Sequence, residues 1–132
     1  MTDIRTYTRQ TAPPWAKDIT DTILAGNLGR AREMWMRAAG KVGADRAIYA
    51  VAAVVEPDPG RITVGEAPLV FGNPLRTGFA WRCGECLDAF RRGGPDPHAG
   101  VNYKTLRGAT GAARKHAFEG HPKPVPVEEV TQ

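Results

Sequence analysis

The first half of the chain carries apolar residues at helical spacing. This pattern predicts a short helix over residues 15–25 and a second helix over 28–39, with Asn27 as the N-cap of the second. A third helix is expected from Asp45, as its cap, to about Glu56. It is apolar on almost every side, so it should form the buried centre of the helical part. Its valines would also suit a buried strand, but its alanines and its length favour a helix.

The second half has shorter apolar runs separated by turn residues. Residues 61–64, 69–71 and 79–82 are each expected to form a short strand, and 87–92 a turn of helix. A loop follows over 93–97, and we assign no regular element to 103–107. A last helix is expected over 110–119 with Thr110 as its cap. The prolines that follow should keep the end of the chain extended or disordered.

Length and composition limit the class of protein. A chain of 132 residues with 42% hydrophobic residues favours one domain with a modest core. No apolar run approaches the ~20 residues of a transmembrane helix, and the polar N-terminus lacks the apolar run of a signal peptide. We therefore expect a cytoplasmic protein without a membrane partner.

Positive charge is concentrated in one part of the sequence. The formal net charge is +4, and residues 76–123 hold nine Lys/Arg against four Asp/Glu. A local positive field attracts polyanions and speeds their encounter with a protein. A nucleic-acid partner would explain this distribution, and the alternative is a solvated surface that keeps a small protein soluble.

Two cysteines and two histidines in the same region have the spacing of metal ligands. Cys83 and Cys86 flank Gly84, which lets the backbone turn both thiolates towards one point. After 29 further residues come His116 and His121, which would differ by about 140° in a straight helix. We expect Gly120 to end that helix in a left-handed conformation, so that His121 folds back. Two thiolates and two imidazoles suit tetrahedral Zn²⁺.

These ligand types and both short spacings resemble the Cys2His2 zinc finger. Trp81 also stands two residues before the first cysteine, where such fingers carry an aromatic residue. The resemblance covers roughly residues 79–122 and implies a closed, structural zinc site. The spacer between Cys86 and His116 is longer than the usual ~12 residues of a finger. The base-contacting positions of the family are therefore not carried over.

The combined pattern predicts a mainly α, α+β fold in four parts. A flexible arm over 1–14 precedes a helical scaffold over 15–60. A zinc-binding module with short strands and a C-terminal helix then covers 61–122, and an extended or disordered tail covers 123–132. Zinc would stabilise a module that has too little core of its own.

Other interpretations of the ligand residues stay open. The C-x-x-C pair could be a redox pair, which normally lies at a helix start after a buried strand of a parallel sheet. The histidines could be ordinary surface residues. His98, in the proline-rich loop, could also replace one of them as a ligand.

The sequence supports two functions. In the first, six basic side chains near the expected ligands bind DNA, and Arg114 could read guanine. These six are Arg91, Arg92, Lys104, Arg107, Arg114 and Lys115. The alternative is a regulatory protein–protein interaction adaptor that uses exposed aromatic residues, although we expect Trp81 and Phe118 in the core.

Catalysis is not expected, because the motifs that would support it are incomplete. Asp96, His98 and Asn102 resemble HNH endonucleases only distantly, and no second catalytic histidine remains once zinc is bound. Residues 26–29 look like the GXXG loop of KH domains, which bind nucleic acid, but the strand expected before that loop is missing. This glycine pair more simply separates two helices.

Overall fold

The computed structural model describes residues 7–130 and has an α+β fold, as the sequence predicts. Within that range, six helices accompany one four-stranded mixed sheet. In chain order the elements are α1 Pro14–Leu24, α2 Leu28–Val42, α3 Ala44–Val55, β1 Ile62–Glu66, α4 Ala67–Phe71, β2 Phe79–Cys83, α5 Gly84–Arg91, β3 Ala99–Tyr103, α6 Leu106–Glu119 and β4 Val127–Val130. None of the described helices is long and apolar enough to cross a lipid bilayer.

The first three helices pack around a shared core. α2 begins at the expected N-cap, where Asn27 Oδ1 accepts a hydrogen bond from the Arg30 N–H at 3.2 Å. α3 begins at Ala44, one residue before Asp45, so the predicted cap at Asp45 is wrong. Gly43 is the N-cap, and Asp45 lies in the first turn, where a negative charge favours the helix dipole. Only one face of α3 is buried, since Tyr49 is 44% exposed.

The segments at both ends of the described chain also contact the fold. Tyr7 is buried in the core of the first three helices, and Ala12 is buried as well. At the other end, Val127–Val130 pairs in parallel with β1 as strand β4. The first six residues of the expected arm and the last two of the expected tail lie outside the described residues.

The sheet forms a layer between α6 on one face and α4, backed by α3, on the other. Its strand order is β3-β2-β1-β4, with β2 antiparallel to both of its neighbours. On one face Ile62, Val64, Trp81 and Cys83 pack against the buried alanines of α6. On the other face Ala80 meets α4, which in turn contacts α3.

Three elements differ from the expectation. Residues 69–71 belong to α4 and not to a strand: Pro68 lies in its first turn and Gly72 ends it at φ 70°, the usual placement of these two residues around a helix. β3 was not predicted, because Val101 is its only β-branched residue and backbone pairing with β2 holds the segment in place. α6 begins at Leu106, so the predicted cap at Thr110 is wrong. Its cap is Thr105, whose Oγ1 accepts from the Gly108 N–H at 3.0 Å.

A cluster of buried and partly buried charges joins the helical unit to the sheet. Glu56, just after α3, accepts two hydrogen bonds from Arg91 of α5 at 2.9 and 2.5 Å. Arg82 of β2 donates to the Ala52 carbonyl at 3.1 Å and the Val70 carbonyl at 3.4 Å, in the last turns of α3 and α4. Such carbonyls lack partners within their own helices. Burial lowers the pKa of Arg82 to about 10 and Glu56 opposes this, so the guanidinium stays charged at neutral pH.

We expect Glu56→Gln to lower the free energy of unfolding by about 1.5–3 kcal/mol, because it removes the charge of the buried Glu56 carboxylate from its two hydrogen bonds with the partly buried side chain of Arg91. The matched control is Asp88→Asn, which breaks the 2.8 Å pair with Arg92 on the exposed side of α5. That change should cost less than about 1 kcal/mol. Urea unfolding measures both variants, and equal losses would contradict a structural role for the Glu56–Arg91 pair.

Candidate metal centre

Cys83 and Cys86 lie where β2 passes directly into α5. Cys83 ends the strand with 2% exposure, and its Sγ accepts from the Cys86 N–H at 3.4 Å as the N-cap of α5. Gly84 is required for space, because a Cβ at this position would overlap the carbonyl oxygen of Asp58. The close approach of that neighbouring turn therefore fixes the backbone between the two thiols.

His116 and His121 come from the last turn of α6 and from the residues just beyond it. The helix ends at Glu119, but Gly120 has φ −88°, so the predicted left-handed conformation is wrong. The position instead requires the absence of a Cβ, which would lie 2.6 Å from Cε1 and 2.7 Å from Nδ1 of His116. A right-handed turn after the helix brings His121 to the same side as His116.

The four side chains bring their donor atoms to one point. His121 Nε2 lies 3.3 Å from Cys83 Sγ, 3.9 Å from Cys86 Sγ and 3.1 Å from His116 Nε2. Cys86 Sγ lies 3.4 Å from His116 Nε2. All four donor atoms lie within 4.8 Å of one another. The Cys2His2 cluster predicted from the sequence is therefore assembled, and it could hold a metal ion.

The protonation states of the cluster matter for metal binding. Burial raises the pKa of the Cys83 thiol to about 11, although the hydrogen bond from the Cys86 N–H opposes this. The thiol is therefore protonated at neutral pH, and a bound cation would displace that proton. Burial, together with the nearby His121 and His98, lowers the pKa of His116. This imidazole is therefore neutral at neutral pH and has a free nitrogen lone pair for coordination.

Two aromatic rings pack against the ring of His116. Trp81 and His98 each stack on it with ring centroids 5.0 Å apart. Trp81 is buried, as expected, and donates from its indole N–H to the Tyr103 hydroxyl at 3.3 Å. Within the described chain His98 contributes no atom to the donor cluster. These contacts hold the His116 ring in the orientation that brings Nε2 to Cys86 Sγ and His121 Nε2.

The placement of the cysteines agrees in one respect with a redox pair, since they lie at a helix start after a strand. However, β2 is antiparallel to both neighbouring strands, unlike the parallel sheet of that class. Both thiols are free, and each lies within 3.4 Å of a histidine nitrogen. The convergence of sulfur and imidazole favours a metal site.

The six basic residues predicted to bind nucleic acid fall into two groups. Arg91 pairs with Glu56, and Arg92 pairs with Asp88. The other four are exposed and form no ion pair with any residue in 7–130; they are Lys104, Arg107, Arg114 and Lys115. Lys123, which was not among the six predicted residues, is exposed two residues after His121.

Phe118 does not lie in the core. It is 70% exposed, so its predicted burial is wrong. The buried side of α6 is formed by Ala109, Ala113 and Ala117, spaced four residues apart. Phe118 lies about 100° around the helix from Ala117. The alanine spacing was visible in the sequence and would have indicated that the small side chains, and not the aromatic one, face the sheet.

The chain matches no protein-family model, no curated protein and no solved structure. The interpretation of the centre therefore rests on the geometry of its four donor atoms and on their surroundings.

We expect Gly120→Ala to weaken divalent metal binding about 10- to 100-fold, because the new Cβ would displace the His116 ring. The matched control is Gly111→Ala in α6, where a Cβ meets nothing within 4 Å. Competition with a chromogenic chelator measures both affinities. If the Gly120 variant bound metal as tightly as the Gly111 variant, the packing of Gly120 on His116 would not control the site.

Proposed function

We propose that this centre binds one structural zinc ion. Tetrahedral zinc, with bonds of about 2.3 Å to sulfur and about 2.05 Å to nitrogen, separates S and N ligands by about 3.6 Å and two N ligands by about 3.3 Å. Among the six distances between the four donors, three S···N distances are 3.3, 3.4 and 3.9 Å and the N···N distance is 3.1 Å. The remaining two, from Cys83 Sγ to His116 and between the two sulfurs, are at most 4.8 Å. This agreement is the observation that carries the proposal. Thiolates and imidazoles also favour zinc over magnesium or calcium.

The ion would tie α6 to the junction of β2 and α5. Four protein ligands leave no open position for water or substrate, so the role is structural and not catalytic. α6 packs on the sheet largely through alanines, and each alanine buries little apolar surface. Coordination would therefore supply stability that this apolar contact lacks.

We expect native mass spectrometry to find one zinc ion per chain and a chelator to remove it. Chelation should lower the thermal midpoint by on the order of 10 °C or more, because structural zinc contributes several kcal/mol to folding. His121→Ala should abolish stoichiometric zinc, whereas the control His98→Ala should retain it. Retention of tightly bound zinc by His121→Ala would refute the assignment of the ligands.

The zinc-stabilised α6 would then serve as a surface for nucleic acid, and DNA is the first candidate. The supporting observation is how the nine Lys/Arg of residues 76–123 divide. Four are engaged within the fold: Arg76 over the Phe71 ring, Arg82 on helix carbonyls, and Arg91 and Arg92 in ion pairs. The other five are exposed and lie on α6 or within a few residues of its ends; they are Lys104, Arg107, Arg114, Lys115 and Lys123.

The helical spacing puts these charges on the solvent side. Arg107 and Arg114 are seven residues apart, so they share one side of α6, about 100–120° round the helix from the centre of its buried alanines. Lys115, the residue after Arg114, lies about 100° further round the helix. Side chains in this arrangement contact phosphates without reading sequence. Arg114 could also read a guanine edge.

The alternative is a zinc-stapled protein–protein interaction adaptor. The exposure of Phe118 favours a contact surface of some kind, and an aromatic anchor is common at protein interfaces. The two functions differ in their dependence on salt, because phosphate contacts release counterions and lose affinity steeply as salt rises.

We expect the double variant Arg114→Ala/Lys115→Ala to bind a generic DNA oligonucleotide at least about tenfold more weakly. Its slope of log K against log salt concentration should fall by roughly two charges. The matched control is Arg37→Ala/Lys41→Ala, which removes the same charge from exposed positions of α2. Fluorescence anisotropy between about 50 and 200 mM salt measures both.

Two outcomes would contradict this function. Equal weakening by both double variants would mean that net charge, and not the surface of α6, governs binding. No binding of DNA at low salt, together with stable capture of one protein partner through Phe118, would support the adaptor instead.

A further inference from the structure

The proposed function does not account for the environment of Phe118. This side chain has the highest exposure among the large hydrophobic residues described, 70%. Arg114 precedes it by four residues and Lys115 by three, so both are its neighbours on the helix surface. The two neighbouring cations make the position of Phe118 unsuitable for burial in an apolar core.

A shallow groove runs beside the ring. Arg114, Ala117 and Phe118 form one wall, and the segment Pro124–Val127 forms the other, around a space of about 400 Å³. Pro124 and Pro126 restrict the backbone of the second wall. Lys123 is exposed at the start of this segment. The groove therefore has an aromatic face, apolar walls and positive charge at its rim.

We propose that this groove binds single-stranded nucleic acid, with an unpaired base stacked on Phe118 and the adjacent phosphates on Arg114, Lys115 and Lys123. The inference rests on the proposed nucleic-acid function and adds the form of the nucleic acid. Each base has a π-face that can stack on an aromatic side chain, and cationic side chains follow the phosphates between stacked bases.

The charges around the ring favour this ligand over others. In a duplex the base faces are already stacked on one another, so Phe118 would meet phosphate and sugar without gaining a stacking partner. An apolar peptide would leave the nearby cations without partners. Among the neighbouring acids, Glu128 pairs with Arg61, so its charge is compensated. Glu119 and Glu129 are exposed, so the three cations Arg114, Lys115 and Lys123 exceed these two carboxylates by one positive charge. The net field at the groove rim therefore favours a polyanion with exposed aromatic bases.

The test uses the full-length, zinc-loaded chain with fluorescein-labelled oligo(dT) and a duplex of the same length, followed by anisotropy. We expect the single strand to bind at least tenfold more tightly than the duplex. Phe118→Ala should weaken single-strand binding roughly 5- to 150-fold, which corresponds to the loss of about 1–3 kcal/mol for one stacked base. It should change duplex binding less than twofold.

Two matched variants separate stacking from general apolar contact. Phe118→Trp should restore single-strand binding, because the larger ring stacks equally well, whereas Phe118→Leu should not. Met36 is also an exposed apolar residue but lies on α2, so Met36→Ala should leave the affinities for single strand and duplex unchanged. Zinc content and thermal midpoint should remain as in the parent chain for all of these variants, since the Phe118 side chain is outside the core.

Three results would overturn the inference. Equal affinity for both forms, with no effect of Phe118→Ala, would leave phosphate binding intact but exclude the stacking role. Equal losses on both forms would make Phe118 a general contact and not a base platform. Failure to bind either form, with zinc fully loaded, would reject this inference and the nucleic-acid function together.

Discussion

The convergence of two thiols and two imidazoles is the constraint on which the rest of the second half depends. It joins the end of β2 and the start of α5 to the end of α6, across a spacer of 29 residues. α6 is otherwise held to the sheet by alanines, which allow close approach but bury little apolar surface each. A metal ion at this point would therefore determine how stably α6, with its exposed basic side chains and Phe118, is held to the sheet.

Close backbone packing shapes the centre as much as the ligands do. Gly84 lies so near the Asp58 carbonyl that no Cβ fits, and Gly120 lies as close to the ring of His116. Trp81 and His98 stack on the same ring and restrict its rotation. The donors are thus oriented by packing against their neighbours, and such packing lowers the ordering cost of coordination.

The opposite face of the sheet meets its neighbours through charge as well as through the apolar contact of Ala80 with α4. Arg82 satisfies carbonyls at the ends of α3 and α4, and Glu56 is paired with Arg91 close by. These arginines hold the helical unit against the sheet and are not available to a polyanion. The basic excess of the sequence therefore serves two purposes: part of it stabilises the fold, and the remainder is exposed around α6.

The sequence by itself determined the four donor residues, the α+β class, α1 to α3 and strands β1 and β2, because ligand spacing and apolar periodicity are local properties. It did not determine β3 or the pairing of β4, since their positions come from hydrogen bonds to distant strands. It also misplaced Phe118 and could not distinguish Arg91 from Arg114 by residue type. Whether a side chain is buried, paired or exposed depends on what the rest of the chain places beside it. Only the tertiary structure decided that Arg91 would pair with Glu56 while Arg114 stays exposed to solvent.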